Sequence, residues 1–357
     1  MKVERVTVRQ ISFPLTTPYK LSTGDKVVFD PFLVEVQAGG EKGWGECMVS
    51  PGYTSESREG SWKAAVEMAT RLQGAEVDNA HEVVRSFTAE YPGVSSAMYG
   101  ALSMLMDEPI LKTIDDTSVP LLAPCQAHDE GELREEIAAL LELGFRTLKI
   151  KVGFDWQDDL DRVQRIQSIC AGRATLRLDA NRGFTEKAGI AFASRLVPEG
   201  IELFEQPCGS HDWAENTAVA AASTVPVMLD ESIYGMEDID RAGAIENVGF
   251  VKLKLKKVGS VNQLVAGLQH IRDRGMTPVL GDGVSLEIAC WMEACVAASS
   301  IDNAGEMNGY LKARSRLLEN PLGFHNGAIQ LPAGYWPKVD MDALSSHTIK
   351  EDTQYKR

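Results

Sequence analysis

The sequence predicts an α/β fold: a closed barrel of parallel strand–helix units, with a smaller α+β unit in front of it. Three observations lead there. Short apolar runs recur along the second part of the chain: VPLLAP (119), TLKIKVG (147), TLRLDAN (175), IELFEQP (201), VPVMLDES (225), GFVKLKL (249), TPVLGDG (277) and a weaker NAGEMNG (303). From 147 onward the runs start 24 to 28 residues apart, which is what one strand, one helix and two loops require. A helical stretch follows each run and no meander signal appears, so the sheet should be parallel and covered by helices. Eight such units fit a closed barrel of TIM type, which typically takes about 250 residues. Fewer strands in an open sheet is the alternative.

The elements follow in order. Residues 1–118 read as the α+β unit, with strands at 3–13, 32–38 and 43–48 and helices at 57–72, 80–89 and 94–106. Two stretches, 14–25 and 50–55, are rich in turn formers and hydroxyls and read as loops. Residues 119–324 form the barrel. The tail from 325, with GAIQLPAGYWPK, is expected to pack back on the first unit.

Composition narrows the function classes. The 357 residues are 44% hydrophobic and 24% charged, ordinary for a soluble globular protein. The net charge of −15 leaves no general attraction to nucleic acid or anionic membrane. Cys47, Cys125, Cys170, Cys208, Cys290 and Cys295 form no CxxC pair and no zinc-like spacing. They read as reduced core thiols of a cytoplasmic protein. MKVERVTVRQISF is charged and alternating, so it reads as a first strand rather than a targeting peptide. The longest apolar helix candidate, 285–298, carries Glu287 and Glu293 and is too short to span a bilayer.

Function enters through the stretch GFVKLKLKKVG at 249–259. It alternates, with Val251, Leu253 and Leu255 on one side and Lys252, Lys254 and Lys256 on the other. In a barrel the apolar side meets the helices, so the lysines point inward. TLKIKVG sends Lys149 and Lys151 inward in the same way, and TLRLDAN sends Arg177, Asp179 and Asn181. Barrel interiors are usually filled by Val, Ile and Leu. Inward charge is costly unless it is paired or holds a metal. Lys257 reads as surface.

Asp179, Glu205 and Asp230 end three successive strands, one unit apart, on the side where parallel barrels carry their active sites. A single Asp there is best read as a helix cap; three in step would repel each other unless a cation lies between them. Hard oxygen donors without His or Cys suit Mg²⁺. In barrel order the inward groups are Lys, Asp, Glu, Asp, Lys.

The motifs KIK (149–151), LDAN (178–181), FEQP (204–207), LDES (229–232) and LKLKK (253–257) resemble the enolase superfamily, specifically its muconate-lactonizing subgroup in the mandelate racemase/muconate lactonizing family. GWGEC at 43–47 resembles that family's N-terminal capping domain. The resemblance implies a modified (β/α)7β barrel and a homo-oligomer. It implies that Asp179, Glu205 and Asp230 bind Mg²⁺, that the substrate carboxylate joins the metal, and that Lys149 helps to stabilise an enediolate. Lys151 and Lys254 would stand on opposite sides of the α-carbon, each taking or giving a proton. Strand 7 carries no His, which disfavours the mandelate racemase branch.

Asp282 and Glu306 are expected as unpaired acids near the mouth, suited to a cationic nitrogen, with Tyr53 and Tyr310 adding cation–π contact. Asn181 is a further candidate for the substrate. Asp282 as a helix cap and the tyrosines as rim packing is the plain alternative. The small-molecule carboxylate expected is of amino-acid type: a proline or betaine, a dipeptide, or a free α-amino acid. The expected reaction is racemisation or epimerisation. Dehydration of a hydroxyproline-like or hydroxy acid and cycloisomerisation are alternatives on the same scaffold. A Schiff-base lyase or a non-catalytic binding protein are alternatives outside it.

Overall fold

The computed structural model describes residues 1–21 and 24–355. Seven parallel strands form one sheet in sequence order: Ala123–Cys125, Thr147–Lys151, Thr175–Asp179, Ile201–Glu205, Val227–Leu229, Val248–Leu253 and Thr277–Leu280. The eighth position is too short to be a strand, yet it closes the ring. Gly305 bridges Leu121 in parallel, and the Glu306 amide donates to Leu280 O at 2.9 Å. The weak eighth run is therefore the seam between the seventh strand and the first.

Helices between the strands bury their apolar sides on this sheet, and Asp129, Asp155 and Ser260 cap three of them at the N-terminus. All six cysteines are buried and unbridged. Among the described residues no helix is long and apolar enough to cross a membrane.

A four-stranded antiparallel sheet precedes the barrel, ordered Thr348–Tyr355, Val3–Ile11, Phe32–Ala38, Glu41–Cys47. Its outer strand comes from the C-terminal tail, which pairs along the first strand of the chain. Helices Arg58–Leu72, Val77–Thr88 and Pro92–Leu105 pack on this sheet. The glycines of GWGEC have a steric cause. A Cβ on Gly45 would lie 1.8 Å from Ala97 O, and one on Gly43 would lie 1.9 Å from Ala101 O, so only glycine lets the strand lie against helix Pro92–Leu105.

The loop expected at 14–25 is instead mostly a hairpin, Phe13–Leu21 with Gly24–Phe29; Ser22 and Thr23 lie outside the described residues. Alternation of buried Phe13 and Leu15 against exposed Pro14 and Thr16 carries the strand in spite of the prolines. The strand expected across 249–256 also ends early. Its ladder stops at Leu253, opposite Leu280, and Leu255–Val258 turn into a short helix with Lys254 as the N-terminal flanking residue.

Candidate active site

The carboxylates and lysines meet at the C-terminal ends of the barrel strands. Parallel register sets Asp179 beside Glu205 and Lys151 beside Asp179. Asp179, Glu205 and Asp230 are all buried. Lys149 Nζ sits between Asp179 (2.9 Å) and Glu205 (3.0 Å). Lys151 Nζ donates to Asp179 Oδ2 at 2.6 Å and to the Asn181 side chain. Lys254 Nζ donates to Asp230 Oδ2 at 2.7 Å. The second and sixth strands, which carry or precede these two lysines, are separated by three intervening strands. In a ring of eight positions that puts Lys151 and Lys254 on opposite walls.

Electrostatics follow from burial and pairing. Burial by itself would raise the Asp179 carboxyl, but Lys149 and then Lys151 outweigh it and hold the group down at about 2. Asp230 is likewise held well below the carboxylate range against burial, by Lys254 first and Lys257 next. Glu205 goes the other way: burial and the Asp179 charge push it up. Lys254 stays above the ordinary lysine range because Asp230 overcomes its desolvation.

Several expectations are corrected. Asp282 and Glu306 are not unpaired. Asp282 pairs with Lys256 at 2.7 Å, and Glu306 pairs with Lys149 at 2.9 Å and with Lys252. Lys252 is buried and also reaches Glu205 at 3.3 Å. The inward lysines that look surplus in the sequence are thus the counterions of these acids. Lys257 is not surface: it is buried beneath Asp230, donating to its backbone O. The helical turn after Lys254 rotates it inward.

Tyr310 is no wall of the cleft. It is fully buried, donates to Gly323 O at 3.3 Å and lies under Arg316. Tyr53 does reach the cleft, but its hydroxyl donates to Asp230 Oδ1 at 2.7 Å, and the Lys254 and Lys256 ammoniums lie over its ring at 4.2 and 5.1 Å. The cap of helix Glu287–Ser300 is not Asp282. It is Glu46 of GWGEC, which accepts from the amides of Leu286, Ile288 and Ala289.

Among the cleft residues that the sequence reading does not name, two stand out. Tyr19, from the hairpin, lines the cleft. Glu231 is buried beside Asp230, its carboxyl pushed up to about 7 by burial and then by the Asp230 charge. Asn181 donates to its Oε1 at 3.1 Å, while Oε2 is buried without a partner among the described residues. Strand alternation would turn Glu231 away, but the strand ends at Leu229, so that rule does not reach it.

The donor set suits a hard divalent cation: buried carboxylate oxygens with no sulfur or imidazole among them, and one Glu231 oxygen that is unpartnered among the described residues. Among the described residues, no three of these groups close on one point, since the Lys149 ammonium stands between Asp179 and Glu205. A cation has to take its place among carboxylates already drawn together by positive charge.

The cleft is lined by Lys149, Lys151, Asp179, Asp230, Lys254 and their neighbours, with about 660 Å³ of empty volume; Glu205 contacts the lining residues Lys149 and Lys252.

Comparison with known proteins bears on the family and the fold. Residues 132–335 match the family described as enolase C-terminal domain-like. A hydrophobic dipeptide epimerase of Citrifermentans bemidjiense is 30% identical over 83% of this chain and 86% of its own length. Among solved structures, an N-succinyl Arg/Lys racemase of Bacillus cereus superposes with a TM-score of 0.90 at 20% identity, covering 99% of this chain and 100% of that one. A dipeptide epimerase of Enterococcus faecalis, solved with Mg and L-Leu-L-Tyr, superposes with a TM-score of 0.84 at 24% identity, covering 94% of this chain and 99% of that one. At those identities the two structures speak for the fold. With a matched family across most of the barrel and a relative similar over most of its length, the chain belongs to the enolase superfamily, in its mandelate racemase/muconate lactonizing group.

Proposed function

We propose that this protein is a Mg²⁺-dependent racemase or epimerase of an amino-acid derivative with a free carboxylate, a dipeptide or N-acyl amino acid. One observation carries the reading: two lysines, Lys151 and Lys254, on opposite walls of one cleft with the carboxylates between them. An α-carbon held between them loses its proton to one and regains a proton from the other on the opposite side, which inverts it. The relatives named for epimerisation of dipeptides support the same substrate class.

Asp179, Glu205 and Asp230 are the residues that would hold the metal. When bound, Mg²⁺ supplies positive charge beside the substrate carboxylate, which makes the neighbouring α-proton more acidic. Lys149, next to Asp179 and Glu205, adds fixed positive charge on the same side. The unit 1–118 acts as a cap, with Tyr53 and Tyr19 closing the cleft over the substrate and excluding water.

The test is α-proton exchange. The enzyme is incubated in D₂O with Mg²⁺ and pools of dipeptides, N-acyl amino acids, free amino acids, prolines and hydroxy acids. Deuterium uptake is read by mass spectrometry and the configuration by chiral chromatography. Uptake with inversion in the dipeptide or N-acyl pool, lost on adding EDTA, is expected. Water loss from the hydroxy acids with no inversion elsewhere would replace the proposal by a dehydratase.

A further inference from the structure

Beside the cleft lies a second recess that the chemistry above does not use. The two share Tyr19, Lys149, Lys151 and Asn181. The chamber extends past Lys151 toward the ends of the first three barrel strands, where Pro124, Gln126, Val152, Phe154 and Ala180 form its walls, and it holds about 970 Å³ of empty volume. An α-carbon poised beside Lys151 would have its largest substituent facing this opening.

Charge decides what fits. The first cleft carries Asp179, Asp230, Glu231, Asp282 and Glu306. Among the described residues, no Asp or Glu lines the second chamber. A lysine or arginine side chain would enter it without a counterion and lose its hydration. An anionic side chain fares no better, because the chamber's strong cations are engaged elsewhere. Arg162 donates to three backbone carbonyls, Cys125 O at 3.1 Å, Ala127 O at 2.8 Å and Lys151 O at 3.1 Å. Lys149 is held by Asp179, Glu205 and Glu306, and Lys151 by Asp179 and Asn181. Apolar walls remain, formed by the Pro124 ring, Val152, Ala180 and the largely exposed Phe154 ring. Apolar surface covered there leaves water at no polar cost.

We infer that this chamber receives the side chain on the inverted carbon, and that the substrate is an amino-acid derivative whose inverted residue is large and apolar, neither cationic nor anionic. The inference rests on the epimerase reading above. Gln126, an amide at the chamber wall, is the position where one introduced charge should change the preference.

The experiment compares the dipeptides L-Ala-L-Leu, L-Ala-L-Phe, L-Ala-L-Lys and L-Ala-L-Glu in D₂O with Mg²⁺, on the wild type and on Gln126→Glu. The kcat/KM for exchange at the C-terminal α-carbon is measured for each. The wild type should favour Leu or Phe over Lys and Glu by at least about tenfold. Gln126→Glu should narrow the preference over Lys by about tenfold while leaving that over Glu intact or larger. A wild type that favours Lys or Glu overturns the inference and leaves the epimerase reading standing. An unchanged ratio in Gln126→Glu alongside an apolar preference also overturns it, since the side chain is then selected elsewhere. Exchange with none of the four and no inversion in the N-acyl pool, together with water loss from the hydroxy acids, removes the epimerase reading and this inference with it.

Discussion

The Tyr53 hydroxyl donates to Asp230 Oδ1 at 2.7 Å while accepting from Lys254 Nζ at 2.6 Å. A residue from the N-terminal unit thus touches both the last carboxylate of the proposed metal set and one of the two proposed bases. Tyr53 is a competitor for the Asp230 oxygen. Replacing it by Phe removes one hydrogen bond to the metal-free carboxylate, worth about 0.5–1.5 kcal/mol. Mg²⁺ binding to Tyr53→Phe, measured by titration calorimetry, should tighten by about 2- to 10-fold. Unchanged or weaker binding would show that the hydroxyl does not compete.

The two proposed bases give a stereochemical prediction. Lys151→Ala and Lys254→Ala should each lose racemisation by about 10²–10⁴-fold. Each should still exchange the α-proton of one enantiomer, and a different one in each variant, because the remaining lysine reaches only one side. Proton NMR in D₂O on each pure enantiomer reads this directly. Equal loss for both enantiomers in both variants would argue against two opposed bases.

Lys252 and Glu306 form a buried pair with no assigned chemical step. Lys252→Met leaves Glu306 and Glu205 short of a counterion and should cost about 3–5 kcal/mol. Lys252→Met combined with Glu306→Leu removes both charges and should recover much of that loss. Urea denaturation of the three proteins decides it. A single variant as stable as the wild type would mean that the pair contributes nothing.

Stability should depend on pH through two buried acids that do not line the cleft. Burial pushes Glu46 up to about 7 and Glu293 up to about 8 against their backbone hydrogen bonds. Folded, these groups keep a proton that the unfolded chain releases near the ordinary glutamate value. The folded state therefore binds more protons between the two values, and stability falls as pH rises through that window. Asp179 and Asp230 are depressed by lysines, so their contribution is lost at the acid end. In EDTA, the melting temperature should peak near about pH 5 and decline toward about pH 8. Glu293→Gln should flatten that decline. A melting temperature that rises from the peak toward pH 8 would contradict the assignment.

Much of the barrel was readable before any coordinates, and the reason is locality. Strand alternation and the recurrence of one strand–helix unit are properties of neighbours in sequence. They were enough to order Lys149, Lys151, Asp179, Glu205, Asp230 and Lys254 around a parallel barrel, and the family resemblance drawn from those motifs holds. The same rule failed where a strand stops. Alternation carried past Leu229 and Leu253 misses Glu231 and mistakes Lys257 for surface.

What the tertiary structure alone decided is which charge meets which. Glu306 and Lys149 are 157 residues apart, and Tyr53 and Asp230 are 177 apart. No periodicity in the chain relates such positions. Their meeting depends on how the ring closes at Leu121 and Gly305, and on where the N-terminal unit lands against the strand ends. Ring closure paired Glu306 with Lys149, and the side-by-side sixth and seventh strands paired Asp282 with Lys256; Tyr310 is set into the core. Desolvation acts in the same way: a carboxyl is raised or lowered by how many opposite charges share its buried site, and that number exists only once distant strands are side by side.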